Sequence, residues 1–338
     1  MDSLAPVIAA PMSGGPTTPA LVAAATSAGC FGFLAFGYLT PDAAHDQLSQ
    51  TRRSCDTFGV NVFLPRDPAP DAAELAAYSR ELASEAERYG LPGVGDAPVA
   101  GSEQDWWREK VELLVQDPVA VVSFTFAIPD AATVASLQRA GSTVLATVTT
   151  PDEARQAEAA GVDGLVVQSA AAGGHSATTT PGAPSAQADT PALVSEVRAG
   201  SALPIVATGG IVRSGQVQAV LAAGAQAAMV GTVLLRTPES AARPAHKAAL
   251  ADPTRAETVV TRAFTGRPAR GLRNRFTDEH SATAPIGYPA IHFLTAPIRA
   301  AAAARGDADG LNLWAGVGYR AATDRPAGDV LADLVKDL

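Results

Sequence analysis

Short β-branched and apolar runs alternate with Ala-rich stretches of helical periodicity from near the N-terminus to about residue 231. That alternation is the signature of repeated βα units around a parallel sheet. Candidate strands fall at 6–12, 31–36, 58–64, 119–126, 143–148, 164–169, 204–208 and 227–231. Eight strands predict a closed (β/α)8 barrel, the TIM barrel. The intervening helices carry start and stop signals. Thr17 and Thr18 precede a helix over 19–28, and Thr150-Pro151-Asp152-Glu153 opens one over 151–160, with Pro and acids in the first turn. Gly29, Gly141, Gly161 and Gly224 stand just past helix ends, where a left-handed residue stops a helix.

Two segments break the repeat. Residues 91–117 carry Pro92, Gly93, Gly95, Pro98 and Gly101 and then Trp106-Trp107, which predicts a loop and short helix laid over the barrel, with the tryptophans as its anchor. Residues 173–190 are polar, Thr-rich and Pro-broken directly after a strand, where a long loop belongs to function more often than to stability. About 100 residues follow the eighth strand. We therefore expect a barrel over 1–250, including the inserted 91–117, and an appendage over 251–338 that covers the barrel mouth and contributes to the substrate pocket.

Composition narrows the classes. With 338 residues, 47% of them hydrophobic, the chain is long enough to bury a large core. Its net charge of -9 argues against nucleic acid, because binding phosphates needs clustered Lys and Arg. Met1-Asp2-Ser3-Leu4 lacks a basic signal-peptide start, and no 18-residue apolar run occurs, so we expect a cytoplasmic protein with no membrane partner. Two cysteines, Cys30 and Cys55, suit a reducing compartment and cannot form a metal cluster by themselves. The strand ends also lack the His and carboxylate clusters of a metal hydrolase, so no metal is expected.

Barrel chemistry gathers where strands end. Thr208-Gly209-Gly210 and Val230-Gly231-Thr232 end the last two strands as two glycine turns, which let backbone N–H groups approach an anion and together read as a phosphate site. The sixth strand runs into Gln168-Ser169-Ala170-Ala171-Ala172-Gly173-Gly174-His175, placing a histidine at the mouth as a candidate general base or, protonated, an anion holder. Ala10-Pro11-Met12 offers a low wall on which a flat ring can lie. Asn61, inside an apolar run, either ties strands together or reads a ligand's polar edge, and Gln168 raises the same choice. Tyr288 and His292 stand one helical turn apart as candidate substrate contacts. Arg267, Arg270, Arg273 and Arg275 form a basic run that reads as a solvated face, with Arg270 a candidate for attracting an anion or for pairing with acids in a subunit contact.

The stretches "APMSGGPTTPALVAAATSAG", "FGVNVFLP", "VVSFTFAIPD", "AAAGGH", "ATGGIVRSGQVQAVLAAGAQAAMVGT" and "TGRPARGLRNRF" resemble the nitronate monooxygenase family, formerly the 2-nitropropane dioxygenases. "YPAIHFLTAPIR" and "LWAG" look most like its bacterial class I branch. The resemblance implies a TIM barrel that binds FMN non-covalently and oxidises alkyl nitronates, propionate 3-nitronate foremost, with O2 to a carbonyl compound and nitrite. It implies a detoxifying role, with a second copy of the chain as a candidate partner. On the matching positions Ala10, Pro11 and Met12 would border the flavin, and Asn61 and Gln168 would bond its polar edge. Gly173 and Gly174 would lie beside it, and Thr208, Gly209, Gly210, Gly231 and Thr232 would hold its phosphate. His175 matches the family's catalytic base. Ser169 and Ala171 depart from the family's usual Gly and Glu, and Val317 from its Gln. Two other readings fit the same residues: an FMN-dependent NAD(P)H:quinone or enoyl-thioester reductase, and a flavin-binding protein without turnover.

Overall fold

The computed structural model describes residues 5–65, 67, 69–95, 104–183 and 188–338. Met1–Leu4, Pro98, Gly101 and 184–187 of the Thr-rich loop, all used in the sequence reading, lie outside the described residues. The strands are β1 (Val7–Ala9), β2 (Phe31–Ala35), β3 (Gly59–Phe63), β4 (Val121–Thr125), β5 (Thr143–Val148), β6 (Gly164–Gln168), β7 (Gly174–His175), β8 (Ile205–Thr208), β9 (Ala227–Val230), β10 (Thr258–Thr261) and β11 (Ala269–Leu272). The barrel closes as β1-β2-β3-β4-β5-β6-β8-β9, all parallel, with β1 pairing β9. These are the eight expected strands. Ile8, Phe31, Phe33, Val121, Leu145 and Met229 fill the interior, so the barrel is a packed core and ligands meet its rim.

The helices are α1 (Pro19–Ser27), α2 (Pro41–Arg52), α3 (Ala72–Glu81), α4 (Ala83–Arg88), α5 (Trp107–Gln116), α6 (Ala131–Arg139), α7 (Pro151–Ala159), α8 (Thr190–Gly200), α9 (Ser214–Ala222), α10 (Pro244–Ala251), α11 (Arg275–His280), α12 (Ala290–Ala304) and α13 (Ala327–Val335). Thr18 and Thr150 cap α1 and α7 by accepting from Leu21 N and Glu153 N, which satisfies N–H groups that have no partner within the helix. Gly29, Gly141, Gly161 and Gly224 all take positive φ.

Two expectations about organisation are corrected. Residues 91–117 were expected over the barrel, and Leu91, Val94 and Gly95 do pack on the lobe, Gly95 N donating to Leu294 O at 2.8 Å, but α5 packs on α2, α6 and β3 and is the barrel helix that returns β3 to β4. Trp107 is buried in the layer between barrel and helices; an amphipathic ten-residue helix finds its best burial there. The piece that leaves the barrel runs from α3 to Gly95. Tyr78, Leu82 and Tyr89 from α3 and its neighbourhood share a core with Phe264, Phe276 and Ile298 of the C-terminal region. Second, 251–338 is not all appendage. The terminal α13 packs against α1, α9 and β1 and supplies the barrel's eighth helix, so the added lobe is an insertion between β9 and α13. Among the described residues no helix is long and apolar enough to cross a membrane. Both cysteines are buried and free.

Candidate active site

The lobe and the barrel mouth enclose a cavity of about 460 Å³, within the range of small-molecule and cofactor sites. Every residue of the barrel rim singled out from the sequence lines it: Ala10, Pro11, Met12, Asn61, Gln168, Gly173, Gly174, His175, Thr208, Gly209, Gly210, Gly231 and Thr232. His292 lines it too, whereas Tyr288 stands behind the wall. Among the described residues no Asp or Glu lines the cavity, and the lining includes Arg243 and Arg299.

His175 is held by a strand. β7 pairs antiparallel with β11, His175 opposite Ala269, in a three-stranded sheet with β10. Gln168 fixes the same strand from the barrel side, donating to the His175 carbonyl at 3.2 Å and accepting from Ala177 N at 2.7 Å. The amide expected to read a ligand edge therefore spends a donor and an acceptor on orienting the histidine strand. The His175 ring bonds Thr265 Oγ1 through Nε2 at 2.9 Å, and Nδ1 has no partner among the described residues. Phe126, Tyr288 and Trp314 surround it edge-on at ring distances of 5.6, 5.8 and 5.5 Å.

Burial, and then the charges of Arg267 and Arg299, push the His175 pKa down to about 3. Desolvation and the neighbouring guanidinium groups both oppose a second positive charge, which favours the neutral ring of a general base over the protonated anion holder. His292, burdened by burial and by Arg299 and His175, is held well below its usual range.

Asn61 spends its amide nitrogen on Ser123 O, Ser123 Oγ and Thr125 Oγ1 at 3.2, 2.9 and 2.9 Å. Its Oδ1 accepts from none of the described residues, an acceptor at the cavity wall. The two glycine turns lie side by side, because β8 pairs β9. Gly210 has φ +68°, and neither Gly210 N nor Thr232 N donates to a described acceptor. Gly173 touches the C-terminal region so closely that a Cβ would lie 2.5 Å from Gly316 N. Thr232 Oγ1 accepts from Gly316 N at 3.0 Å. Ser169 bonds Thr190 Oγ1 at 2.7 Å, which in turn donates to Gly209 O at 2.6 Å; it ties the histidine segment to the glycine turn. Val317 donates to Ala171 O at 3.1 Å and is exposed, outside the cavity lining.

The basic run does not form one solvated face. Arg267 is fully buried, ion-paired with Asp67 and lying 4.1 Å over the Phe126 ring. Arg270 donates to Ala170 O and Thr258 Oγ1 at 2.7 and 3.0 Å and lies outside the main cavity lining. Arg273 and Arg275 pair with lobe acids. Glu85, Glu279 and His280 form the described residues' candidate metal-ligand group, but Arg275 already binds both carboxylates.

Sequence reasoning missed Tyr38, Phe63, Phe126, Thr265, Arg243, His246, Arg299 and Trp314 as lining residues. Tyr38 follows β2 directly, so a reading of all eight strand ends would have found it. The Tyr38 ring stacks on His292 at 4.4 Å with 5° between planes. It sits at φ +69°, its N–H bonded to Asp105 Oδ1 at 2.7 Å, and Lys110 Nζ holds Asp105 Oδ2 at 2.8 Å.

A closed (β/α)8 barrel whose rim joins two glycine turns to a chamber lined by a histidine and arginines has the build of a small-molecule enzyme. Residues 1–337 match the sequence family described as nitronate monooxygenase. The chain is 36% identical over 348 aligned residues to the nitronate monooxygenase of Pseudomonas aeruginosa, covering 98% of this chain and 96% of that protein. It is 35% identical to that of Paraburkholderia phytofirmans, covering 98% and 92%. Among solved structures, the nitroalkane oxidase from Streptomyces ansochromogenes superimposes with a TM-score of 0.94 at 46% identity, covering 100% and 96% of the two chains. FabK from Thermotoga maritima, at 23% identity, TM-score 0.73 and coverage of 99% and 93%, shares the fold. The chain belongs to the nitronate monooxygenase family and is an oxidoreductase.

Proposed function

We propose that this protein oxidises alkyl nitronates with O2, giving a carbonyl compound and nitrite, with propionate 3-nitronate as a substrate and FMN as its non-covalent cofactor. The observation that carries the reading is the lining of the cavity among the described residues: a histidine held neutral, with a ring nitrogen unbonded, beside arginine cations, and no acid to compete with an anionic substrate. The rim residues fit FMN. The free N–H groups of Gly210 and Thr232 suit a phosphate. Asn61 Oδ1, an acceptor lacking a donor, suits the N–H of a flavin's pyrimidine ring, and Ala10-Pro11-Met12 gives its flat system an unhindered wall. FMN, when bound, supplies the electron-accepting chemistry that no side chain has.

The chain's own residues bind, orient and shield. Arg299, which lines the cavity without an ion-pair partner among the described residues, favours the anion over the neutral nitroalkane, which has the same physical origin as its lowering of the His175 pKa. With a nitronate, already deprotonated, His175 orients the substrate. With a nitroalkane its free nitrogen takes the α-proton. Phe63, Phe126 and Trp314 keep water out of the chamber.

The test is oxygen uptake and nitrite release by FMN-loaded protein given propionate 3-nitronate without nicotinamide. Rapid uptake with nitrite is expected. An intact flavin spectrum with no uptake from this or longer nitronates, coupled to anaerobic bleaching by NADH or NADPH, would replace the proposal with a reductase.

A further inference from the structure

Arg299, on the third turn of α12, is 7% exposed and has no ion-pair partner among the described residues. Burying an unpaired guanidinium costs several kcal/mol unless something neutralises it. Its own helix holds one side of the group. Nε donates to Thr295 Oγ1 at 3.1 Å, and Nη2 to the His292 carbonyl at 2.7 Å, with His292 Nδ1 3.2 Å away. Nη1 donates to no described residue, and Arg299 lines the cavity. The exposed Arg243 donates to the Arg299 carbonyl at 3.3 Å, so a second cation stands nearby. The fork is thus fixed along one edge and unfilled along the other, the arrangement that receives a carboxylate.

We propose that Arg299 is the specificity-determining residue of this cavity, receiving a carboxylate carried by the substrate at the end remote from its nitronate carbon. The proposal rests on the nitronate reading above and deepens it. Arg299 lies near enough to His175 to oppose its protonation, so a short chain bearing both groups meets the arginine and the histidine in one chamber. Tyr38 and His292, stacked on each other and lining the same cavity, offer an aromatic wall for the connecting methylenes. A neutral alkyl tail would leave the guanidinium buried and unpaired, which is the source of discrimination.

The test uses FMN-loaded protein, wild type and Arg299→Gln, Arg299→Lys and Ala296→Asp. Ala296 lines the cavity one turn before Arg299, so an acid there supplies an internal competitor while leaving the arginine's helix contacts in place. Anaerobic calorimetry with 3-nitropropionate is expected to show binding that Arg299→Gln and Ala296→Asp weaken at least tenfold and Arg299→Lys weakens less. In turnover, the ratio of kcat/KM for propionate 3-nitronate over propyl nitronate should fall at least thirtyfold in Arg299→Gln, mostly through KM. An equal loss on both nitronates would mean that Arg299 only supports α12, and would overturn the proposal. So would loss of FMN with unchanged 3-nitropropionate affinity in the remaining holoprotein. Should Arg299→Gln not fold, Ala296→Asp decides by the same ratio. If wild type oxidises neither nitronate, the functional reading fails while calorimetry still decides whether Arg299 receives the carboxylate.

Discussion

At the scale of single residues, the site works by denying charge to its histidines. Unfolded, His175 takes a proton near pH 6.5; folded, it resists until about 3. Between these values the unfolded chain binds the extra proton. Stability therefore falls as pH falls below about 6.5, by about 1.4 kcal/mol per pH unit for each such proton. His246, held to about 4 by burial, adds to the same slope. His280 acts oppositely. Against the desolvation that lowers it, the carboxylates of Glu85 and Glu81, the latter 2.6 Å from Nδ1, raise its pKa, so its contribution is present below pH 6.5 and lost as pH rises through its folded value. Urea unfolding of His175→Asn between pH 6 and pH 4.5 should show a slope shallower by about one proton. The same variant should lose nitroalkane turnover and retain part of its nitronate turnover; equal losses would deny His175 the role of base.

At the scale of elements, the N-terminus of α5 reaches across to shape the cavity. Asp105 and Trp106 both take left-handed backbone angles, φ 56° and 47°, an unfavourable conformation that the fold must hold in place. The buried Asp105–Lys110 pair does so, and its carboxylate in turn holds Tyr38, itself left-handed, against His292. Burial raises the Asp105 pKa to about 6 even with Lys110 beside it. Lys110→Met removes one partner of a fully buried pair and should cost about 3–5 kcal/mol in urea unfolding, with KM for nitronates rising as Tyr38 loosens. A cost below about 1 kcal/mol with KM unchanged would show that Tyr38 is placed by packing alone.

At the scale of the whole molecule, the lobe is interposed within the last βα unit and the chain returns to finish the barrel. α13 buries Ala327, Leu331 and Leu334 against α1 and α9, so the seal between the first and last helices depends on the final residues of the chain. Leu331→Ala should destabilise the protein by about 2–5 kcal/mol, the usual cost of a buried leucine. Calorimetric melting would show it as one lowered transition. Two separated transitions would instead mean that lobe and barrel unfold independently.

The eight strands, the helix caps and the rim residues were legible in the sequence because each is written locally: a β-branched run, a Thr before a helix, a glycine where backbone turns left-handed. His175 stood out because it follows a strand and two glycines. Four things were decided only by tertiary structure. α5 belongs to the barrel and α13 closes it, because each helix goes where its apolar stripe finds a surface, and sequence order does not reveal that surface. Arg267, within a run that looked solvated, is buried because Asp67 and Phe126 receive it from distant segments. Arg299 enters the site only when α12 crosses the barrel mouth. His175 is neutral because its pKa belongs to its surroundings, burial and two guanidinium groups brought from elsewhere in the chain. A sequence specifies which groups are present and how each short segment folds, whereas solvation and long-range charge are properties of the assembled volume.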